Sequence, residues 1–152
     1  MPALKPYILI LIFLACTSKK STETVIFNTY LEKTFHQKIP SKTQYYLIVP
    51  KFGCSGCIYK SLLLLNDSLN KIDLKKFTII SSIPEIIPKN LIDNTSFLYD
   101  KQGVIDKINL NISNVTFIVT SNENVEYIYN SELEHENILL KMYKNHALGK
   151  VE

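Results

Sequence analysis

Tyr45-Tyr46-Leu47-Ile48-Val49-Pro50-Lys51-Phe52-Gly53-Cys54-Ser55-Gly56-Cys57 is the stretch on which the fold turns. Tyr45 to Val49 is an unbroken β-rich run, short enough for a buried strand, and Pro50 stops it. From Ser55 onward the apolar residues Ile58, Leu62, Leu65, Leu69 and Ile72 recur at threes and fours, which predicts a helix. Leu63 and Leu64 widen the stripe until the middle of that helix is apolar all round, so it expects cover on more than one side. The two cysteines therefore fall on the first turn of a helix that follows a strand. Unpaired N–H groups and a partial positive charge at a helix N-terminus stabilise a thiolate there, and two thiols at this spacing can close a small disulfide ring. The chemistry this predicts is redox first and metal binding second.

Cys16 belongs to a separate signal. It follows Lys5 and the apolar run Tyr7 to Ala15, which as a helix would cover about 13 Å at ~1.5 Å per residue. That is far short of the roughly 30 Å hydrocarbon core of a bilayer. A basic start, a short apolar core and a small residue before the break make the plan of a secretory signal. With Cys16 directly after Ala15 the segment resembles the lipobox of bacterial lipoproteins, although Phe13 stands where that box usually has Leu. The resemblance implies cleavage before Cys16, a lipid on Cys16, and a membrane-anchored protein of the bacterial cell envelope. The expected organisation is a signal over 1–15, a polar tether over 16–23, and one domain over 24–152. With Cys16 lipidated, the two remaining cysteines both lie in the one motif, in a compartment where a disulfide can persist or cycle.

About 135 residues after the signal are enough for one domain with a core and too few for two. Apolar residues make up 46 % of the chain and charged residues 20 %, a globular balance. A formal net charge of +3, carried entirely by lysine on the basic side, argues against a nucleic-acid partner. Without arginine the chain also lacks the bidentate forks usual at phosphate sites, and no Gly-rich phosphate loop is present.

Around the motif, Thr24 to His36 has helix-like spacing through Val25, Ile26, Tyr30, Leu31 and Phe35. Phe77 to Ile80 reads as the next buried strand. Pro84 and Pro88 predict an irregular stretch after it. Ser96 to Tyr99 is a short strand running into Asp100-Lys101-Gln102-Gly103, with Asp first and Gly last as a type I turn prefers. Val104 to Leu110 leans towards a short helix. Val115 to Val119 and Val125 to Tyr129 flank the polar stretch Thr120 to Asn124 and predict a hairpin. Ser131 opens a final helix with Glu132 and Glu134 in its first turn. Glu136 joins them on what reads as a solvated helix start. His36, His135 and His146 are too scattered for a metal set and read as surface residues, and no metal or other cofactor is expected.

Alternating β and α elements with a late hairpin predict an α/β fold, a central mixed sheet flanked by helices. On Tyr45 to Cys57, the Leu98 to Gly103 turn and the Val115 to Tyr129 hairpin, the chain resembles the thioredoxin fold, over roughly Lys42 to His146. It resembles more closely the TlpA-like thiol-disulfide oxidoreductases of the bacterial envelope. The resemblance implies Cys54 as the exposed nucleophile and Cys57 as the resolving thiol. Lys51 and Lys60 would be cationic helpers, and Ser55, Gly56, Asn114, Val115 and Thr116 a substrate groove. The expected partners are protein thiols or disulfides, or a redox protein, met by a monomer.

Three positions depart from the family. Gly53 replaces the aromatic that precedes the first cysteine, with Phe52 one step back. Val115 stands where the family has a cis-proline, and a cis bond there would cost about 3 kcal/mol, so a trans bond is expected. The strand entering the motif carries Tyr45 and Tyr46 but no carboxylate to take a proton from Cys57. Two other readings of the motif follow: a redox-inactive binding module with a structural disulfide, or a soft-metal carrier resembling heavy-metal-associated domains, in which both thiolates would hold copper.

Overall fold

A computed structural model describes residues 20–67, 74–112 and 114–130. The segment 1–15 read as a signal, Cys16, the stretch from Ser131 read as a helix with its glutamates, His135, His146, and Leu69 and Ile72 of the predicted long helix lie outside the described residues. The elements run α1 (Thr22–Phe35), β1 (Gln44–Val49), α2 (Ser55–Asp67), β2 (Phe77–Ser81), α3 (Lys89–Asn94), β3 (Ser96–Tyr99), β4 (Thr116–Ser121) and β5 (Asn124–Asn130). The five strands form one mixed sheet in the order β3-β2-β1-β4-β5. Strand β1 pairs parallel with β2 and antiparallel with β4. Strand β3 adds to β2 in parallel, and β5 closes the hairpin on β4. This is the thioredoxin-like α/β arrangement, with the Cys-x-x-Cys helix connecting two adjacent parallel strands.

The apolar run of β1 is explained by its central place. Tyr45, Leu47 and Val49 face a core with Ile58, Leu62 and Leu65 of α2, Leu91 of α3, and Phe117 and Val119 of β4. Tyr46 and Ile48 face the opposite core with Phe27, Tyr30 and Leu31 of α1, plus Ile80, Ile105, Leu110 and Ile118. A strand buried on both faces has no polar side to show, so alternation disappears from its sequence.

Helix α1 differs from its predicted face. The buried residues are Thr24, Phe27, Tyr30 and Leu31, while Val25 is 53 % exposed. Thr24 is buried because its hydroxyl accepts the Val125 N–H of β5 at 2.9 Å, and Phe27 packs edge-on against Tyr46 with centroids 5.0 Å apart. The helix begins where Ser21 accepts the Thr24 N–H at 3.2 Å and ends at His36 in the left-handed region, φ 55°.

Two further boundaries moved. A short helix, α3, occupies part of the stretch read as irregular, entered at Pro88 and anchored by Leu91. Only Ile105–Lys107 of the predicted Val104 to Leu110 helix forms a turn of 3₁₀ helix. The 100–103 turn is as read, closed by the Gly103 N–H on the Asp100 carbonyl at 2.9 Å, with Gly103 at φ 60°. The hairpin turn narrows to Asn122 and Glu123, both with positive φ (50° and 62°), as a type I′ turn requires.

Two buried phenols give the fold an alkaline limit. Burial pushes the Tyr46 hydroxyl from its ordinary 10.0 up to about 12. Tyr30 is pushed higher still, first by burial and then by the neighbouring Asp100. In the unfolded chain both ionise near pH 10, whereas the folded chain keeps them neutral, so the unfolded state sheds protons first. Stability is therefore full below about pH 10 and falls as pH rises towards the folded values. Between about pH 10 and 12 Tyr46 alone should cost roughly 2 kcal/mol. Urea titrations at pH 9 and 11.5 should show the loss, and Tyr46→Phe should lessen it; an unchanged loss in that variant would remove Tyr46 as the cause.

Candidate functional site: the Cys54–Cys57 disulfide

Three parallel strands end at the same edge of the sheet, so the segments that follow β1, β2 and β3 gather there. The edge is tied together by Ser81, which is fully buried. Its hydroxyl donates to the Val49 carbonyl at 3.0 Å and accepts from the Ile83 N–H at 3.1 Å. The dithiol loop leaves β1 at this clip. The register Ile48 to Thr116 brings the start of β4, and with it Asn114 and Val115, to the same edge.

Cys54 and Cys57 are joined in a disulfide, with their Cα atoms 5.1 Å apart. Cys54 occupies the capping position of α2. Its carbonyl accepts the Ile58 N–H at 2.9 Å, and its sulfur accepts the Cys57 N–H at 3.3 Å. A serine or aspartate cap makes the same bond with an oxygen. Here the sulfur makes it, so a thiolate at Cys54 would meet a backbone donor and the positive end of the helix together. Cys54 is exposed and Cys57 half-buried. Ser55 and Gly56 between them are exposed.

Gly56 has nothing within 4 Å of where a Cβ would sit. Glycine is therefore not required there by space. Gly56→Ala should raise stability by about 0.5–1 kcal/mol through helix propensity, measured as a higher urea midpoint at unchanged slope. A fall in the midpoint would show that the ring needs a backbone conformation alanine resists.

Around the disulfide the structure places some of the predicted residues in the open and others in the core. Phe52 is 71 % exposed, with the Lys51 ammonium 5.6 Å from its ring centroid. Lys60 is exposed on α2. Asn114 is half-buried, whereas Val115 and Thr116 are buried. Val115 shares the apolar cluster that holds Ile58, the residue after Cys57. Thr116 donates its hydroxyl towards the Asn114 carbonyl at 2.9 Å and also bonds the Asn130 side chain. No cis peptide bond occurs among the described residues, so the Asn114–Val115 bond is trans, as expected. His36 stands at the far end of α1 as its cap.

Asp100 and Asp106 were not read as site residues from the sequence. Asp106 accepts the Lys51 N–H on Oδ1 at 3.0 Å, reaching the dithiol loop from a turn 55 positions away. Asp100 is fully buried and accepts the Tyr30 hydroxyl at 3.1 Å and the Ile105 N–H at 2.7 Å, both on Oδ2. The turn-forming pattern of Asp100 to Gly103 was visible, but nothing in the sequence marked Asp106 as reaching the loop or Asp100 as holding the turn that carries it.

A cavity of about 520 Å³ opens between the start of α1, residues 109–111 and β5, lined among others by Glu23, Asn111, Glu126 and Tyr127. No residue of the dithiol loop lines it. Among the described residues no three His, Cys, Asp or Glu side chains gather at a point where they could hold a metal.

Fold and site together define a thioredoxin-like α/β protein with a disulfide of Cys-x-x-Cys spacing at the start of a helix. Comparison of the chain with protein-family models and with curated proteins found no match.

Proposed function

We propose that the protein takes part in thiol–disulfide exchange through Cys54 and Cys57. The observation that carries this reading is the hydrogen bond from the Cys57 N–H to the Cys54 sulfur at the exposed start of α2. In the reduced protein the Cys54 thiolate attacks one sulfur of a protein disulfide; an S–S bond forms to Cys54 and one substrate thiolate leaves. The Cys57 thiolate then attacks Cys54, closing the ring and releasing the second substrate thiol. Two electrons pass from the protein to its substrate, and the same steps in reverse oxidise a dithiol. Ser55, Gly56, Asn114, Val115 and Thr116 would form the surface the partner meets, the last two through their backbone because their side chains are buried. Lys51 supplies a positive charge on the loop.

The signal-like first segment supports a place for this chemistry. We infer an envelope lipoprotein anchored through Cys16 and related in design to the TlpA-like oxidoreductases, an oxidising setting in which such a pair cycles. Fractionation of cells expressing the parent and Cys16→Ser tests the anchor, and equal membrane recovery of the two would remove it.

The exchange itself is tested by equilibrating the purified protein across a glutathione redox series and following alkylation of the Cys54–Cys57 peptide. A reversible transition is expected. A pair that stays oxidised throughout would leave a structural disulfide, and thiols protected only by added copper would point to a metal carrier.

A further inference from the structure

Lys51 is three residues before Cys54, and its backbone N–H is held by a carboxylate from another part of the chain. Asp106 Oδ1 accepts that N–H at 3.0 Å. Asp106 sits in the 3₁₀ turn Ile105–Lys107, whose first N–H is bound by the fully buried Asp100. Asp100 in turn holds the Tyr30 hydroxyl of α1. The dithiol loop is thus tied to the core on the α1 side of the sheet, opposite the side where α2 packs.

The second Asp106 oxygen is buried without a hydrogen-bond partner, as is the Ser82 hydroxyl. A Cβ on Gly103 would come within 3.2 Å of that oxygen and 3.8 Å of that hydroxyl, so Gly103 is the opening that lets the carboxylate in. Only glycine combines this close approach with φ 60° at no steric cost.

We propose that Asp106 is a positioning residue for the dithiol, holding the loop at Lys51 so that the Cys54 sulfur stays against the Cys57 N–H. This rests on the exchange reading and extends it to the control of the nucleophile. The groups facing Asp106 are Asp100 on the adjoining turn, Tyr30 on α1, Lys51 on the loop and Ser82 after β2. Burial, followed by the charge of Asp100, raises its pKa, while the Lys51 N–H and the Lys51 ammonium oppose that shift. An ionised acceptor makes the stronger bond, so the tie is tightest with Asp106 ionised.

The test compares Asp106→Ala and Asp106→Asn in the otherwise unchanged protein. Asparagine keeps an oxygen for the Lys51 N–H, and alanine does not. The alkylation rate of reduced Cys54 against pH should move to higher pH in Asp106→Ala, slowing alkylation at neutral pH about three- to tenfold, the worth of one hydrogen bond. In Asp106→Asn it should not move upward. Amide hydrogen exchange at Lys51 in the oxidised protein should lose protection with alanine and keep it with asparagine. A Cys54 profile unchanged in Asp106→Ala, or moved equally upward in both variants, overturns the proposal even if stability falls. Failure of the parent to equilibrate with glutathione would instead sink the exchange reading, and the Lys51 amide would still decide whether the anchor exists.

Discussion

Cys57→Ser, reduced and then offered a protein disulfide, should accumulate as a mixed disulfide through Cys54, while Cys54→Ser should form almost none. The asymmetry follows from the helix start. Cys54 is exposed and its sulfur receives the Cys57 N–H, whereas Cys57 is half-buried one turn on. A donor and the helix N-terminus favour a thiolate over a thiol, and attack needs the thiolate. Without Cys57 the first step proceeds and the second cannot, so the adduct persists. Without Cys54 the remaining thiol is poorly placed for attack, and exchange should fall by about a hundredfold or more. Mass spectrometry of the trapped adduct reads both variants. Equal trapping by the two would reverse or abolish the assignment of Cys54 as nucleophile.

The place of Cys54 at the start of α2 was legible in the sequence because every cue for it is local. A β-rich run, a proline, two thiols and an apolar period of threes and fours place Cys54 at a helix start without any knowledge of distant residues. The same holds for β2, β3 and the hairpin, which are short runs bounded by turn residues. Where the sequence misled, a tertiary partner decided the outcome. Val25 looked like part of the apolar face of α1, yet the face is set by Thr24, whose hydroxyl holds a backbone N–H 101 positions away. Thr120 looked like turn chemistry, yet it is buried and donates its hydroxyl to the Gln44 carbonyl at 3.3 Å, and β4 runs on to Ser121, two residues past its predicted end. Helix α3 follows directly on Pro88 and buries one residue, Leu91, too little apolar periodicity to announce it.

The carboxylate beside the dithiol loop shows the same limit most clearly. The entering strand has none, as the sequence indicated, and that observation stands. Asp106 nevertheless reaches the loop by accepting a backbone N–H, and a backbone donor leaves no trace in the identity of residue 51. Sequence reading finds side chains that face each other at regular spacing; it does not find a side chain that meets the main chain of another segment.

Asp100→Ala should be strongly destabilising for a change outside the hydrophobic core, by about 2–4 kcal/mol. Asp100 is fully buried and its Oδ2 serves two donors, the Tyr30 hydroxyl on α1 and the Ile105 N–H on the turn that carries Asp106. Alanine leaves both donors buried and unpaired, at about 1–3 kcal/mol each. One term opposes this: Oδ1 has no hydrogen-bond partner, so removing the carboxylate also removes its desolvation cost. That offset places the net effect below the sum of the two lost bonds. Tyr30→Phe deletes one donor and should cost less, about 1 kcal/mol, since Ile105 still binds Asp100. Because the two side chains share a bond, the double variant should be less destabilised than the sum of the singles by about 1 kcal/mol. Equilibrium urea unfolding of the four proteins measures all of these values. Additive effects would mean that the Tyr30 hydroxyl and Asp100 do not support each other, and the tie from α1 through Asp100 to the dithiol loop would be broken at its first link.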